Sequence, residues 1–349
     1  MASESTPPRV SLRDIAAALG VSHSTVSLAL RDHPRISDAV REKVKETAEK
    51  MGYRPDPMLA ALANYRRGRE KAAISSSVAW INAWPKPDEL RKLKEFDFYW
   101  QGAFKAAEKF GYRLEEFRLG WEYSPKRLHQ ILSTRGIRGI LLPPHRETPD
   151  WSGFPWEQYA VVRFGRTVQR PEFHVVTADQ IANTMLAVRR MHELGYRRIG
   201  FVGFEGDFSK RGLLFRLGFT GGQQLVQTPH VLEPLLTDEK NPVQSRRMLE
   251  KWLKKWKPDA ILTTNPDISS MLEKLGLRIP DDIGLAVTSI LDAKADAGID
   301  QHPEEIGRVG FLMLNSLIND RAWGIPPIFR QILVEGSWVD GSTLPVREP

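Results

Sequence analysis

Apolar residues recur at helical spacing three times within the first fifty positions. Ser11 precedes an apolar stripe of Leu12, Ile15, Ala16 and Leu19, and Asp14, three residues on, completes a capping-box-like start. Gly20 ends that run, and after Val21 a second cap candidate, Ser22, opens a run with Val26 and Leu30 on one face. Pro34 breaks the chain, Ser37 caps again, and Val40, Val44, Ala48 and Met51 follow before Gly52, where a C-terminal glycine is favoured. The pattern predicts three short helices, the first two joined by the tight turn of a helix-turn-helix. Ala16 is small where two helices would touch, Gly20 permits a positive φ, and Val26 returns to the core. Ser22, His23, Ser24, Thr25 and Ser27 then point short polar groups outward from the start of the second helix. Such a helix end attracts phosphate. A small helical bundle with a serine-rich surface satisfies the same pattern.

A fourth helical stretch is shorter. Asp56 caps a run whose first position is Pro57 and which continues through Met58, Leu59 and Leu62 to Ala63. A helix of about eight residues is not stable alone in water, so its apolar side needs a partner. An interdomain linker with an incidental Leu reads the same way, and Arg66, Arg67 and Arg69 beyond it suit a solvated connector. From Ser77 onward the period changes. Apolar runs at Val78–Asn82, Ile137–Leu142, Tyr159–Phe164, Ile199–Val202, Pro258–Thr263 and Ile283–Val287 read as strands, with helical stretches such as Ile181–Leu194 between them. Strand–helix alternation predicts a parallel α/β sheet, here long enough for two lobes.

Composition narrows the class. A length of 349 residues suits two or three domains, and 41% hydrophobic content suits a packed core. No apolar run approaches the roughly 18 residues of a membrane span. The polar start, Met1 to Pro8, lacks the apolar stretch of a signal peptide, so a cytoplasmic protein is expected. Zero Cys removes disulfides, thiolate metal sites and Cys nucleophiles. The net charge is +7, and residues 1–71 carry 13 Lys+Arg against 9 Asp+Glu, more than half of the surplus in a fifth of the chain. A polyanion partner fits that bias, as does a solvated helical surface. Enzyme patterns are missing. Gly200, Gly203 and Gly206 follow a strand without the spacing of a dinucleotide site, and His192-Glu193 lacks the second His of a zinc motif. Neither catalysis nor a metal or cofactor is expected.

The run Val10-Ser11-Leu12-Arg13-Asp14-Ile15-Ala16, then Gly20-Val21-Ser22-His23-Ser24-Thr25-Val26-Ser27, resembles the DNA-binding domain of the LacI family of transcriptional regulators. The likeness continues without a gap through Pro34-Arg35-Ile36-Ser37, Val40-Arg41-Glu42-Lys43-Val44 and Gly52-Tyr53-Arg54-Pro55. It implies a double-stranded DNA operator, with Leu12, Ser22, Thr25, Ser27 and Tyr53 on the backbone-contacting surface and His23 and Ser24 at the variable base-reading positions. The family usually has Arg at the position of Leu28 and Asn at that of Arg31. Leu28 has no donor and could only pack on a thymine methyl, while Arg31 could add a phosphate or base contact. Residues 56–63 would be the hinge helix, with Leu62 as the wedge that opens a base step.

The larger part is similar to the family's periplasmic-binding-protein-like core, through Glu193-Leu194-Gly195-Tyr196-Arg197-Arg198-Ile199-Gly200-Phe201-Val202-Gly203 and Leu275-Gly276-Leu277-Arg278-Ile279-Pro280-Asp281-Asp282-Ile283. The resemblance implies an all-α helix-turn-helix domain (9–55), a hinge and linker (56–76), and a two-lobed α/β core (77–349) that forms a homodimer and takes a small-molecule effector, without contact to a membrane. Lobe 1 would hold about 77–173 and 304–330, and lobe 2 about 174–303 and 331–349. Arg211 resembles the effector-binding Arg. The family's Gly-Phe-Asp is Val287-Thr288-Ser289 here, which leaves Asp292 as the substitute acid.

Overall fold

The computed structural model describes residues 10–30, 35–51, 53, 76–145, 148–167, 170–205, 209–238, 241–291 and 294–347. The chain forms two compact units, Met1–Ala73 and Ile74–Pro349. The first holds α1 (Leu12–Leu19), α2 (His23–Ala29) and α3 (Asp38–Lys50). Their shared core is Ile15, Ala16, Val26, Ala29, Val44 and Ala48, the positions that the helical period selects. Gly20 turns the chain at φ 65°, and Val21 N–H reaches back to Ala16 O at 3.1 Å. A Cβ is unfavourable at that φ, which is why glycine closes this helix.

The second unit contains two six-stranded sheets. The first comprises β1 (Ser76–Asn82), β2 (Tyr112–Arg118), β3 (Gly139–Leu142), β4 (Ala160–Phe164), β5 (His174–Ala178) and β11 (Gln331–Val334), in the order β11-β5-β4-β3-β1-β2. The second comprises β6 (Ile199–Glu205), β7 (Leu235–Asp238), β8 (Ala260–Thr263), β9 (Gly284–Val287), β10 (Gly298–Asp300) and β12 (Ser337–Val339), in the order β12-β10-β9-β8-β6-β7. Every pairing is parallel except that of β12 with β10. The central strands β3, β4 and β8 are buried throughout, as sheets covered on both faces require. The helices are α4 (Pro87–Leu90), α5 (Lys94–Lys109), α6 (Pro125–Thr134), α7 (Gln180–Glu193), α8 (Ser209–Leu225), α9 (Pro242–Trp256), α10 (Ile268–Glu273) and α11 (Pro303–Asn319).

Two expected lobe boundaries move. β5 and β11 both belong to the first sheet: β5 pairs with β4 from Val162 opposite His174, and β11 lies along β5 from Gln331 opposite Val175. The chain therefore changes lobes near Asp179 and near Glu335-Gly336, about five residues later than expected, and between them near Gln301-His302. The reason is pairing. The fully buried run His174–Ala178 needs a hydrogen-bonded neighbour on each side, and β4 and β11 supply both.

Helix α11 returns the chain to the first lobe and packs on α5. The contact is backbone against backbone. A Cβ on Gly102 would fall 1.8 Å from Glu304 O, and one on Gly307 would fall 2.1 Å from Tyr99 O. Gly102→Ala is expected to destabilise the core by about 1–3 kcal/mol, the usual range for overpacking. All ten Trp residues lie in this unit, so Trp fluorescence during urea unfolding follows it alone. An unchanged midpoint would refute the close crossing.

Candidate DNA-reading surface and effector cleft

The candidate reading surface is built from two caps. Ser11 donates to Asp14 Oδ2 twice, from its N–H and from its Oγ, each at 2.7 Å. These bonds hold the Asp14 carboxyl below its ordinary range, the backbone donor first and the hydroxyl second. At α2, Ser22 Oγ accepts from Thr25 N–H at 3.0 Å and lies 2.8 Å from Thr25 Oγ1. If Thr25 donates in that hydroxyl pair, the Ser22 proton is left to point outward, the polarity a phosphate oxygen needs.

Ser22, His23 and Ser24 are exposed, and Thr25, Ser27 and Leu28 are half-buried beside them. The structure thus gathers six of the sequence-selected residues at one helix start. Leu12 and Tyr53 are half-buried and pack against the three-helix core. Tyr53 N–H donates to Ala48 O at 2.9 Å. Arg31, Leu62, Asp292 and the side chain of Arg211 lie outside the described residues.

Ligands of open α/β sheets sit beyond the carboxyl ends of the strands, where the strand order reverses. In the first sheet that point lies between β1 and β3, and it is occupied by protein. Trp84 Nε1 donates to Pro144 O at 2.7 Å, and Ala83 N–H donates to His145 Nε2 at 3.0 Å. Both side chains are buried. Burial pushes the His145 pKa down to about 4, with the Ile81 backbone opposing it, so the ring is neutral near pH 7. Because Nε2 accepts, the proton sits on Nδ1.

The matching point of the second sheet, between β6 and β8, is polar. Asn265 is buried there, its N–H on Thr263 Oγ1 at 2.9 Å and its Oδ1 accepting from Asp267 N–H at 2.8 Å. Further along the sheet, past the ends of β9 and β10, Gln301 Nε2 donates to Thr288 O at 2.6 Å. Trp84, His145, Asn265 and Gln301 were not singled out from sequence. Asn265 stands two residues past the strand Ala260–Thr263 and was open to a strand-end rule, whereas burial of His145 has no local signal. A separate groove of about 690 Å³ runs along α5 and α11 and reaches Leu291, Asp300 and His302.

A capped helix-turn-helix in one unit and a two-lobed α/β core in the other define a regulator that reads DNA with the first and carries a binding-protein fold in the second. Residues 11–56 match the family model for bacterial regulatory proteins of the lacI family, and residues 188–342 match a periplasmic binding protein-like domain. The HTH-type transcriptional regulator DegA of Bacillus subtilis is 24% identical over 296 residues, covering 79% of this chain and 80% of that protein. Among solved structures, a transcriptional regulator CelR–cellobiose complex covers 96% of this chain and 100% of its own, at TM-score 0.60 and 20% identity. The lac repressor dimer bound to operator and the anti-inducer ONPF covers 97% and 99%, at TM-score 0.54 and 18% identity. The N-terminal unit thus carries a lacI-family DNA-binding segment, and the core carries a periplasmic binding protein-like domain. Among the described residues no helix is long and apolar enough to cross a membrane.

The Asp14 cap has a pH signature. Its carboxyl is depressed in the folded state, so its stabilisation is present above the ordinary carboxylate pKa and is lost as pH falls through the depressed value. Asp14→Ala is expected to reduce hydrogen-exchange protection of the α1 amides at neutral pH. The difference from wild type should shrink below about pH 4. A difference independent of pH would refute an ionised cap.

Proposed function

We propose that the protein is a dimeric, sequence-specific repressor whose hold on a near-palindromic operator is set by a small, carbohydrate-related effector. It acts in the cytoplasm, at the nucleoid, and performs no catalysis. The observation that carries this reading is the Ser22–Thr25 hydroxyl pair on the α2 cap, with His23 and Ser24 exposed beside it. One part of that surface is suited to phosphate and the adjacent part is free to read base edges. The operator-bound lac repressor dimer supports the two-fold arrangement, and the cellobiose complex of CelR supports a sugar-class effector. In this reading Leu12, Ser27 and Tyr53 approach the DNA backbone, Leu28 and Arg31 flank the read bases, Leu62 opens a base step, and Arg211 and Asp292 face the effector. A second reading, an effector-independent regulator, draws on Trp84 and His145 filling the reversal point of the first sheet.

Binding of the full chain to a pool of random duplexes at ~150 mM salt tests the proposal. Enrichment of a near-palindrome is expected, and equal binding to all duplexes would refute it. Ser22→Ala should weaken binding to every sequence alike. His23→Ala should change preference at one or two positions by roughly 1–3 kcal/mol. Leu62→Ala should lower both operator affinity and DNA bending, read by energy transfer between the duplex ends, while the dimer persists. Adding mono- and disaccharides to the same assay separates the two readings, since only the first predicts a change in operator affinity.

A further inference from the structure

The first sheet ends differently at its two edges. β2, on one side, is charged at Arg113, Glu115, Glu116 and Arg118. Glu115 pairs with Arg135 at 2.7 Å, and Arg118 pairs with Asp88 at 2.8 Å. Charges along an edge strand keep it from pairing with another chain. β11, on the other side, reads Gln331-Ile332-Leu333-Val334 and has no charge within it. Among the described residues no strand pairs with its outer side.

β11 also continues an apolar surface. Trp323, Ile325, Ile328, Phe329, Ile332 and Leu333 are all exposed, Ile328 by 80% and Leu333 by 44%. Single exposed apolar side chains need no cause, but a run of them along one edge marks a surface that something covers. The strand itself is held firmly. Val175 N–H donates to Arg330 O at 3.0 Å, Asp179 N–H donates to Val334 O at 2.9 Å, and Arg166 reaches Gln331 Oε1 at 2.8 Å. The ladder alternates, so Ile332 and Val334 turn their backbone groups to β5, while those of Gln331 and Leu333 point outward.

Two outward positions, two residues apart, are self-complementary. In an antiparallel pair about a two-fold axis, Gln331 of each copy faces the partner's Leu333, and both backbone N–H···O bonds form in each such pair. Ile332 then lies on the axis, opposite the partner's Ile332. The ends of the strand agree on the direction. Arg330 precedes it and Glu335 follows it, both exposed and neither in an ion pair among the described residues. Antiparallel pairing sets Arg330 at the end of the strand where the partner's Glu335 stands, whereas parallel pairing sets like charges side by side.

We propose that the outer edge of β11 is an interface between two copies of this chain, joined antiparallel so that their first sheets become one. The interface lies within the core and uses neither operator nor effector. It goes beyond the proposed dimer, which names no surface.

Sedimentation velocity of the full chain gives the mass of the assembly. Ile332→Lys puts a charge on the axis at an exposed position and should halve that mass. The chain has no Cys, so Ile332→Cys supplies a single thiol. Residues opposed without mutual hydrogen bonds have Cα atoms about 4.5 Å apart, a separation that a disulfide spans. Oxidised with diamide, the Ile332→Cys protein should run as a covalent dimer on a non-reducing gel. Ser133→Cys, at an exposed position of α6, should stay a monomer there. The cross-link decides alone if Ile332→Lys fails to fold. A monomeric wild type overturns this interface and the dimeric reading together. A mass that Ile332→Lys leaves unchanged, or an Ile332→Cys protein that cross-links no more than the Ser133→Cys control, overturns the interface alone and leaves the edge to a partner of another kind.

Discussion

The core depends on one backbone contact, the crossing of α5 and α11 at Gly102 and Gly307. The chain builds the first lobe, leaves it at Asp179, and must return to complete it. Helix α11 is the return, and it buries Ile306, Phe311, Leu314 and Leu317 against α5 and the first sheet. Each such side chain contributes about 1.5–3 kcal/mol on burial. That gain requires the helices to approach to backbone distance, which only residues without a Cβ allow at the crossing. Once α11 is held in the first lobe, any displacement of β10 must be absorbed by Asp300–His302, because the chain is fixed on both sides of them.

The two strand-end faces differ in kind. In the first lobe an indole and a neutral imidazole seal the reversal point with their own hydrogen bonds, Trp84 to Pro144 and His145 to Ala83. A charged ring there would need a buried counter-charge, and a pKa near 4 removes that need. In the second lobe Thr263, Asn265, Thr288 and Gln301 offer amides and hydroxyls at the corresponding ends.

The N-terminal unit was legible because its signals are local. Caps at Ser11 and Ser22, the stop at Gly20 and the period of Ile15, Val26 and Val44 each act within a few residues, and the structure uses all of them. The alternation of strands and helices was legible for the same reason. Lobe membership was not, because a run such as His174–Ala178 looks the same in either sheet until β4 and β11 flank it. The strand-end residues were legible only in part. His145 is an ordinary polar residue in sequence, and its burial is a product of the fold around Ala83 and Thr167. The bond between Asn183 and Gly336 spans 153 residues, and no period or motif announces it.

A lobe equilibrium is useful for control only if its two states are close in free energy. A ligand shifts it by no more than its differential affinity for the two, and about 1.4 kcal/mol changes the ratio tenfold. A large apolar rearrangement between the lobes would exceed what a small effector could bias. A single buried donor, bonded in one state and unbonded in the other, differs by about 1–3 kcal/mol. That is the scale of one or two ligand hydrogen bonds. Bonds of that size hold the crossovers here, Asp179 N–H on Val334 O, Gln301 Nε2 on Thr288 O and His302 N–H on Asp300 Oδ1.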